Sequence, residues 1–441
     1  MKEFSLIRWL TPNLGIKRWL MMSILGMLVI SIGVSLAVLR LFGIEGILPA
    51  FTENWLMIIA ILGLGIGSIV YGMNRIIVTL LAPYRRQQSG AVIDHVMDFN
   101  RRQKGFKFVA IGGGTGLPAS LRGIKQYTNN ITAVVTVGDD GGSSGRLRRD
   151  LGVLPPGDIR NNIAALADED SLLTQLFQYR FVGGDLAGHS FGNLFIAALA
   201  NIVAEQRGNG HNSLAEALIE VERVLNIRGR VIPSTLDDIV LHATVRLNDS
   251  SRQIKVRGES QIGDVNGRVE TISIEPANAI AYDPSVQAIL DADIVVIGPG
   301  SLFTSILPNL MVKGIADALR ATDALIIYVC NVAIQPVETE DYTVAEHVMA
   351  IEKHIGRGVF QAVIANNIYP EENAGHHTNY VKPVPTNHEI LERYDVYNTD
   401  LTDHERPWRH DTHKLARAIL ELARQDTKLA SIIKSTSQEL V

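Results

Sequence analysis

At 441 residues and a formal net charge of −5, the chain is too long for one average domain and long enough to bury a large core. The charge is uneven: up to Lys107 there are 12 Lys and Arg against 5 Asp and Glu, and beyond it 29 against 41. The acidic remainder argues against a nucleic-acid surface, which needs a basic face, and the single Cys330 excludes an intrachain disulfide and reads as a core hydrophobe.

Two uncharged apolar runs come first, at 19–39 and 55–74, each about 20 residues, the length an α-helix needs to cross the hydrocarbon core. The first is too long for a signal peptide and lacks a small-residue cleavage site. Lys2, Arg8, Lys17 and Arg18 flank it, and Arg75, Arg85, Arg86, Arg101, Arg102, Lys104 and Lys107 follow the second run. The connector between them holds Glu45 and Glu53 and no Lys or Arg beyond the bordering Arg40. The positive-inside rule then predicts a two-span cell-membrane protein, with 1–18 and everything from 75 onward cytoplasmic and 40–54 outside. Trp9, Trp19 and Trp55 stand at interfacial depths, and Gly63 with Gly67 forms a GxxxG pair expected to pack on the first span or another copy. Residues 75–105 mix arginine pairs with Ile76, Ile77, Val92, Ile93, Val96 and Met97, and read as a juxtamembrane helix on anionic lipid or as a solvated linker.

From Phe106 short apolar runs alternate with helical patterns, and no solenoid repeat is present. Strands are predicted at 106–111, 131–137, 293–297, 324–330 and 359–365, and helices at 117–128, 191–206, 212–226, 311–321, 342–355 and 411–424. This predicts an α/β domain over 106–430 with a Rossmann-like, mostly parallel sheet, followed by a tail at 431–441. Leu241–Leu247, Gln253–Val256 and Val269–Ile274 alternate with period two, the pattern of an antiparallel β insertion.

The chemistry gathers where predicted strands end. Gly113, Gly114, Thr115 and Gly116 follow the first strand and offer backbone N–H groups that can approach a phosphate closely. They make a poor dinucleotide fingerprint, because the third glycine would fall on Leu117 or Ala119, and no Gly-Lys-Ser/Thr completes a P-loop. The second strand runs into Asp139, Asp140, Gly141, Gly142, Ser143, Ser144 and Arg146. An acid there is where a ribose partner is expected, and Asp139 with Asp140 could hold Mg²⁺ bridging to a diphosphate; the alternative is an Asx-rich turn.

Pro155 to Asn161 opens a helix in which Asp158 is expected as N-cap, with Arg160, partly solvated, and Asn161 projecting toward an anion. Gly188-His-Ser-Phe-Gly192 matches the nucleophile-elbow pattern, but no buried strand precedes it. It reads instead as a polar helix start, with His189, Ser190 and Asn193 facing the cleft. Gly298, Gly300 and Ser301 repeat the strand–glycine–helix logic, Thr304 opens the helix that follows, and Asn331 and Gln335 follow the next strand, with Glu338 in the same loop.

Together, Gly-Gly-Gly-Thr-Gly, Asp-Asp-Gly-Gly-Ser-Ser-Gly-Arg, Pro-Pro-Gly-Asp-Ile-Arg-Asn, Gly-His-Ser-x-Gly-Asn and Gly-Pro-Gly-Ser-Leu-x-Thr-Ser-Ile-Leu-Pro-Asn resemble the YvcK (gluconeogenesis factor) branch of the CofD-like family. The resemblance runs from Phe106 to Ala423 and leaves the hairpin outside. It implies a Rossmann-like fold for nucleotide-diphosphate ligands. In the CofD branch it implies phospholactyl transfer from a guanosine-linked donor to a deazaflavin precursor. In the YvcK branch it implies binding of UDP-sugars, notably UDP-N-acetylglucosamine, with regulation of carbon flux and cell-wall synthesis. Asp140 runs into Gly-Gly-Ser-Ser where the transferases have an aromatic segment, which puts the chain on the YvcK side. Gly138, Asn162, Ile334 and Val337 depart from the family pattern, while Arg409-His-Asp411 with Lys414 resembles a C-terminal motif and adds Arg409 as a diphosphate contact.

The expectation is a membrane-anchored, cytoplasmic UDP-sugar-binding regulator affecting carbon flux, cell-wall precursor supply and cell shape, with no evident base beside a nucleophile. The alternative is a CofD-class transferase using Mg²⁺ on Asp139 and Asp140. The expected partners are UDP-N-acetylglucosamine, the lipid bilayer, a second copy of the chain and a regulatory protein, with no nucleic acid.

Overall fold

The computed structural model describes residues 17–42, 55–81, 102–168, 170–207, 213–248, 252–370, 379–426 and 429–433. The chain divides into two compact units, Met1–Asp98 and Phe99–Val441. Trp9, the connector around Glu45 and Glu53, the segment with Arg85, Arg86 and Val92 to Met97, and the tail from residue 434 lie outside the described residues.

In the first unit, α1 (Lys17–Leu41) and α2 (Trp55–Leu81) pack antiparallel, and both are long and apolar enough to cross a membrane. Their Leu, Ile, Met and Val side chains largely face outward, as lipid would require. Trp19 meets Tyr71 edge-on at 5.8 Å with Arg75 over both rings, and at the opposite end Arg40 lies 5.2 Å over Trp55. Aromatic rings stacked with arginines at both ends are the pattern of interfacial anchors. The seam between the helices is made by Gly26, Gly33, Gly65 and Gly72. Gly63 and Gly67 are not in it: a Cβ on either would meet nothing within 4 Å, so the expected GxxxG pair does not pack on the first span.

In the second unit the strands are β1 (Phe108–Gly112), β2 (Ile131–Val135), β3 (Arg230–Pro233), β4 (Val240–Leu247), β5 (Gln253–Arg257), β6 (Gly267–Glu275), β7 (Ile294–Ile297), β8 (Leu325–Val329), β9 (Ala362–Asn366) and β10 (Asp395–Thr399). Seven form one parallel sheet in the order β10-β9-β8-β7-β1-β2-β3, and β5-β4-β6 form the expected antiparallel insertion. Every residue of β1, β7 and β9 is buried, because helices cover both faces of a parallel sheet. The five expected strands are present. The two edge strands, β3 and β10, were not expected: one is four residues ending in Pro233, the other carries Asp395 and Asn398, so neither shows an apolar run. The helix expected at 311–321 begins only at Ile315 and runs to Ala321, because Gly314 before it has a φ of 101° that no helix continues.

The helices around the cleft are α3 (Leu117–Ile124), α4 (Gly142–Leu151), α5 (Gly157–Leu166), α6 (Leu172–Gln178), α7 (Phe191–Arg207), α8 (Ser213–Leu225) and the short α9 (Glu259–Asp264) after β5. From β1 the chain proceeds outward through β2 to β3, then returns to β7 on the other side of β1. That reversal opens a crevice beyond the carboxyl ends of β1 and β7, where ligands of open α/β sheets bind.

Candidate nucleotide-binding cleft

The first wall of the crevice is backbone against backbone. A Cβ on Gly116 would lie 2.6 Å from the Pro299 carbonyl, so only glycine lets the loop after β1 meet the loop after β7. Gly114 has φ 63°, Thr115 is exposed at the tip, and Asn309 Nδ2 fastens the base by donating to the carbonyls of Gly112 and Ser305, at 2.9 and 2.7 Å. Beyond β7 and β8 the side chains tie one another: Gly300 N–H donates to Asn331 Oδ1 at 3.2 Å, Asn331 Nδ2 donates to Gly300 O and Gln335 Oε1, and Gln335 Nε2 donates to Ser301 Oγ. Gly298, Gly300, Ser301, Asn331 and Gln335 are therefore brought together as expected. Thr304 is not free to face a ligand. It lies in a π-helical turn, Leu302–Ile306, and donates to buried Glu338 at 3.1 Å.

The second wall is acidic, and its carboxylates are turned apart. Asp139 Oδ1 accepts the Gly141 N–H at 2.9 Å, whereas Asp140 Oδ1 accepts the Ser260 N–H at 2.8 Å and so fastens the start of α9. Asp158 does not cap its helix: Pro156 holds that position with no side-chain cap, and the Asp158 carboxylate accepts the Gly114 N–H instead. Burial pushes its carboxyl up to about 6. Glu259, at the start of α9, points into the same space. Burial and the charges of Asp139 and Asp158 hold its carboxyl well above the ordinary range, and it donates its proton to Asp139. Sequence reading missed Glu259, because nothing in Arg257-Gly-Glu-Ser260 shows that this turn reaches back to Asp139. The Mg²⁺ expectation fits poorly. One oxygen of Asp140 is committed to Ser260, and among the described residues no group of three His, Cys, Asp or Glu is placed to hold a metal ion.

The third wall joins α4, α5 and the start of α7. Ser143 Oγ lies 3.1 Å from His189 Nδ1 and accepts from Asn193 Nδ2 at 3.1 Å, so the expectation of no base beside a hydroxyl is corrected. Burial and Arg146 hold the His189 imidazole below its ordinary range, which favours the neutral ring. Ser190 is fully buried and accepts the Asn193 N–H at 3.2 Å, a helix cap and not an acyl nucleophile. Arg160 is 8% exposed, not partly solvated: its stem lies on Gly192, where any Cβ would collide with it, and Nη2 donates to Asn161 Oδ1 at 2.7 Å. Gly142 has φ 47°, and Ser144 lies against Gly157. Arg409 is exposed, next to His410, whose Nε2 meets the Cys330 carbonyl at 3.1 Å and so pins the C-terminal segment at the end of β8. Cys330 is fully buried, and burial pushes its thiol up to about 12, as suits a core residue.

Residues 108–426 match the family model described as 2-phospho-L-lactate transferase CofD. The chain belongs to the CofD family. Within it, the chain stands with relatives carrying the gluconeogenesis-factor name. It is 40% identical over 331 residues to the gluconeogenesis factor of Bacillus subtilis, covering 72% of this chain and 98% of that protein. A Nostoc sp. relative is 44% identical over 378 residues, covering 82% of this chain and 79% of its own. That share exceeds what residues 108–441 amount to, so this likeness reaches upstream of the family domain. Among solved structures, a UPF0052 family member from Bacillus halodurans superposes with a TM-score of 0.64 at 37% identity, covering 71% of this chain and 99% of its own.

Proposed function

We propose that this CofD-family chain is a membrane-anchored cytoplasmic sensor of a nucleotide-diphosphate sugar, UDP-N-acetylglucosamine. In this reading it regulates central carbon flux and cell-wall precursor supply, and through them cell shape, without consuming its ligand. The observation that carries the ligand class is the composition of the crevice. Glycine amides at Gly113–Gly116 line one wall, the acidic side chains of Asp139, Asp158 and Glu259 the second, and guanidinium groups Arg146 and Arg160 the third. Phosphates call for the guanidinium groups, and ribose and sugar hydroxyls for the amides and the acidic side chains. The regulatory reading is supported by the gluconeogenesis-factor name of the relatives, and the anchor by two apolar helices with aromatic–arginine ends. The basic flanks, Lys17 and Arg18 before and Arg75 after, support a cytoplasmic domain.

Calorimetry of the full chain in detergent micelles tests this. UDP-N-acetylglucosamine is expected to bind saturably, more tightly than GDP or NAD, and to be recovered intact after long incubation. Sustained release of UDP, UMP or sugar phosphate would overturn the sensor and favour a transferase. That second reading is supported by the family description and by the Ser143–His189 hydrogen bond.

A further inference from the structure

Three guanidinium groups converge on one turn of the cleft, and none makes a salt bridge among the described residues. Arg146 Nη2 donates to the Ala187 carbonyl at 2.8 Å and Arg180 Nη1 to the Gly188 carbonyl at 2.6 Å. The two acceptors are consecutive residues, so the two cations are neighbours beside His189. The third, Arg160, is buried against Gly192, and its Nε has no hydrogen-bond partner. Arg180 lies near enough for its charge to oppose that of Arg160, whereas the charges of Asp158 and Asp139 favour it. Burying a guanidinium among like charges is unfavourable unless an anion completes the group. The first turn of α5 divides the crevice, because Asp158 reaches back to Gly114 while Arg160 turns to Gly192.

We infer that Arg146, Arg160 and Arg180 form the phosphate-binding pole of the cleft, and that Arg180, which no motif carries, is a ligand-binding residue. The ligand lies with its diphosphate across these guanidinium groups and its hydroxyl-bearing end toward Asp139, Asp158 and Glu259. The orientation rests on the nucleotide-sugar reading; the anion pole does not. Arg180 is exposed, so its loss removes charge from the cleft without opening the core.

The test is calorimetry on the full chain in micelles at fixed ionic strength, with sodium pyrophosphate and UDP-N-acetylglucosamine as probes. Arg180→Ala is expected to weaken both by about tenfold or more, and Arg180→Lys to recover part of the loss, since it restores the charge without the bidentate fork. Glu259→Gln is expected to weaken the nucleotide sugar and not pyrophosphate. Wild-type affinity for pyrophosphate in Arg180→Ala overturns the pole. So does an equal loss in the Ala and Lys variants accompanied by a lowered melting temperature, because that is a structural arginine. Pyrophosphate binding that depends on Arg180, with no binding of UDP-N-acetylglucosamine, upholds the pole and sinks the nucleotide-sugar reading. Nucleotide-sugar binding with no pyrophosphate binding does the reverse.

Discussion

Glycine permits close approach in both units of the chain, but what it admits differs. In the hairpin it admits a helix: a Cβ on Gly26 would lie 2.8 Å from the Gly65 carbonyl, and one on Gly65 would lie 2.6 Å from Ile30 Cγ1. In the cleft it admits chemical groups: a Cβ on Gly113 would lie 2.5 Å from Asp158 Oδ2, and one on Gly157 would lie 2.8 Å from Asp139 Oδ2. Two apolar helices meet through many weak contacts and can slide to absorb a lost one. A cleft glycine faces backbone or carboxylate held by the register of a parallel sheet, so it has nowhere to yield. The same residue type therefore meets a substitution by displacement of a whole helix in one unit and has nothing that can move aside in the other.

The sharpest way to break that contrast is Gly116→Ala. Its Cβ would press on the Pro299 carbonyl at 2.6 Å and Gly300 Cα at 3.0 Å, both backbone. Overpacking of this kind costs about 1–3 kcal/mol, so the α/β unit is expected to melt several degrees lower and to lose most ligand affinity as the two lips part. Calorimetric unfolding of the full chain reads the first effect and ligand titration the second. An unchanged melting temperature would mean that these lips move freely, and the rigid frame would have to be abandoned.

Asp158→Asn probes the group that Gly113 makes room for. Burial raises the carboxyl from its ordinary 3.8 to about 6, so between those values the folded chain holds a proton that the unfolded chain has released. Stability from this group is fully present below about pH 4 and is lost as pH rises through about 6. Asparagine keeps an oxygen for the Gly114 N–H and removes the charge. The variant is expected to melt a few degrees above wild type at pH 8 and level with it at pH 4, while binding ligand more weakly. An equal gain at both pH values would assign the effect to packing and not to charge.

The central strands and the glycine blocks at their ends were legible because both signals are local: β1, β2 and β7 are continuous apolar runs, and each glycine block follows its own strand directly. The partners of the site side chains were not legible. Asp158 at a helix start reads as a cap, but an N–H from another loop, that of Gly114, is the donor it meets. Arg160 reads as solvated until Gly192 from α7 closes over it. Asp140 reads as half of a metal pair until the insertion brings the Ser260 N–H to it. Glu259 and Arg180 stand in segments with no motif, so only tertiary approach reveals them. The hairpin repeats the lesson: the two apolar helices are written in composition, whereas which glycines make the seam depends on how the two helices rotate.

That rotation gives the smallest effect and the cleanest comparison of faces. Gly63 and Gly65 are two residues apart on α2, so they point to nearly opposite sides of the helix. Gly65→Leu would drive a side chain into Ile30 and the Gly26 carbonyl, whereas at Gly63 even the new Cβ meets nothing within 4 Å, because that position faces away from α1. The helices are expected to separate in the first variant and not in the second. Trp19, held 5.8 Å from Tyr71 with Arg75 over both rings, reports this in a chain whose other tryptophans are replaced by phenylalanine. Its emission and anisotropy should change with Gly65→Leu and stay as they were with Gly63→Leu. The melting of the α/β unit and its ligand affinity should be untouched by either, because the seam holds only helix to helix. If Gly63→Leu disturbs Trp19 as much as Gly65→Leu does, the seam runs through the GxxxG pair after all, and the face assigned to Gly26 and Gly65 is wrong.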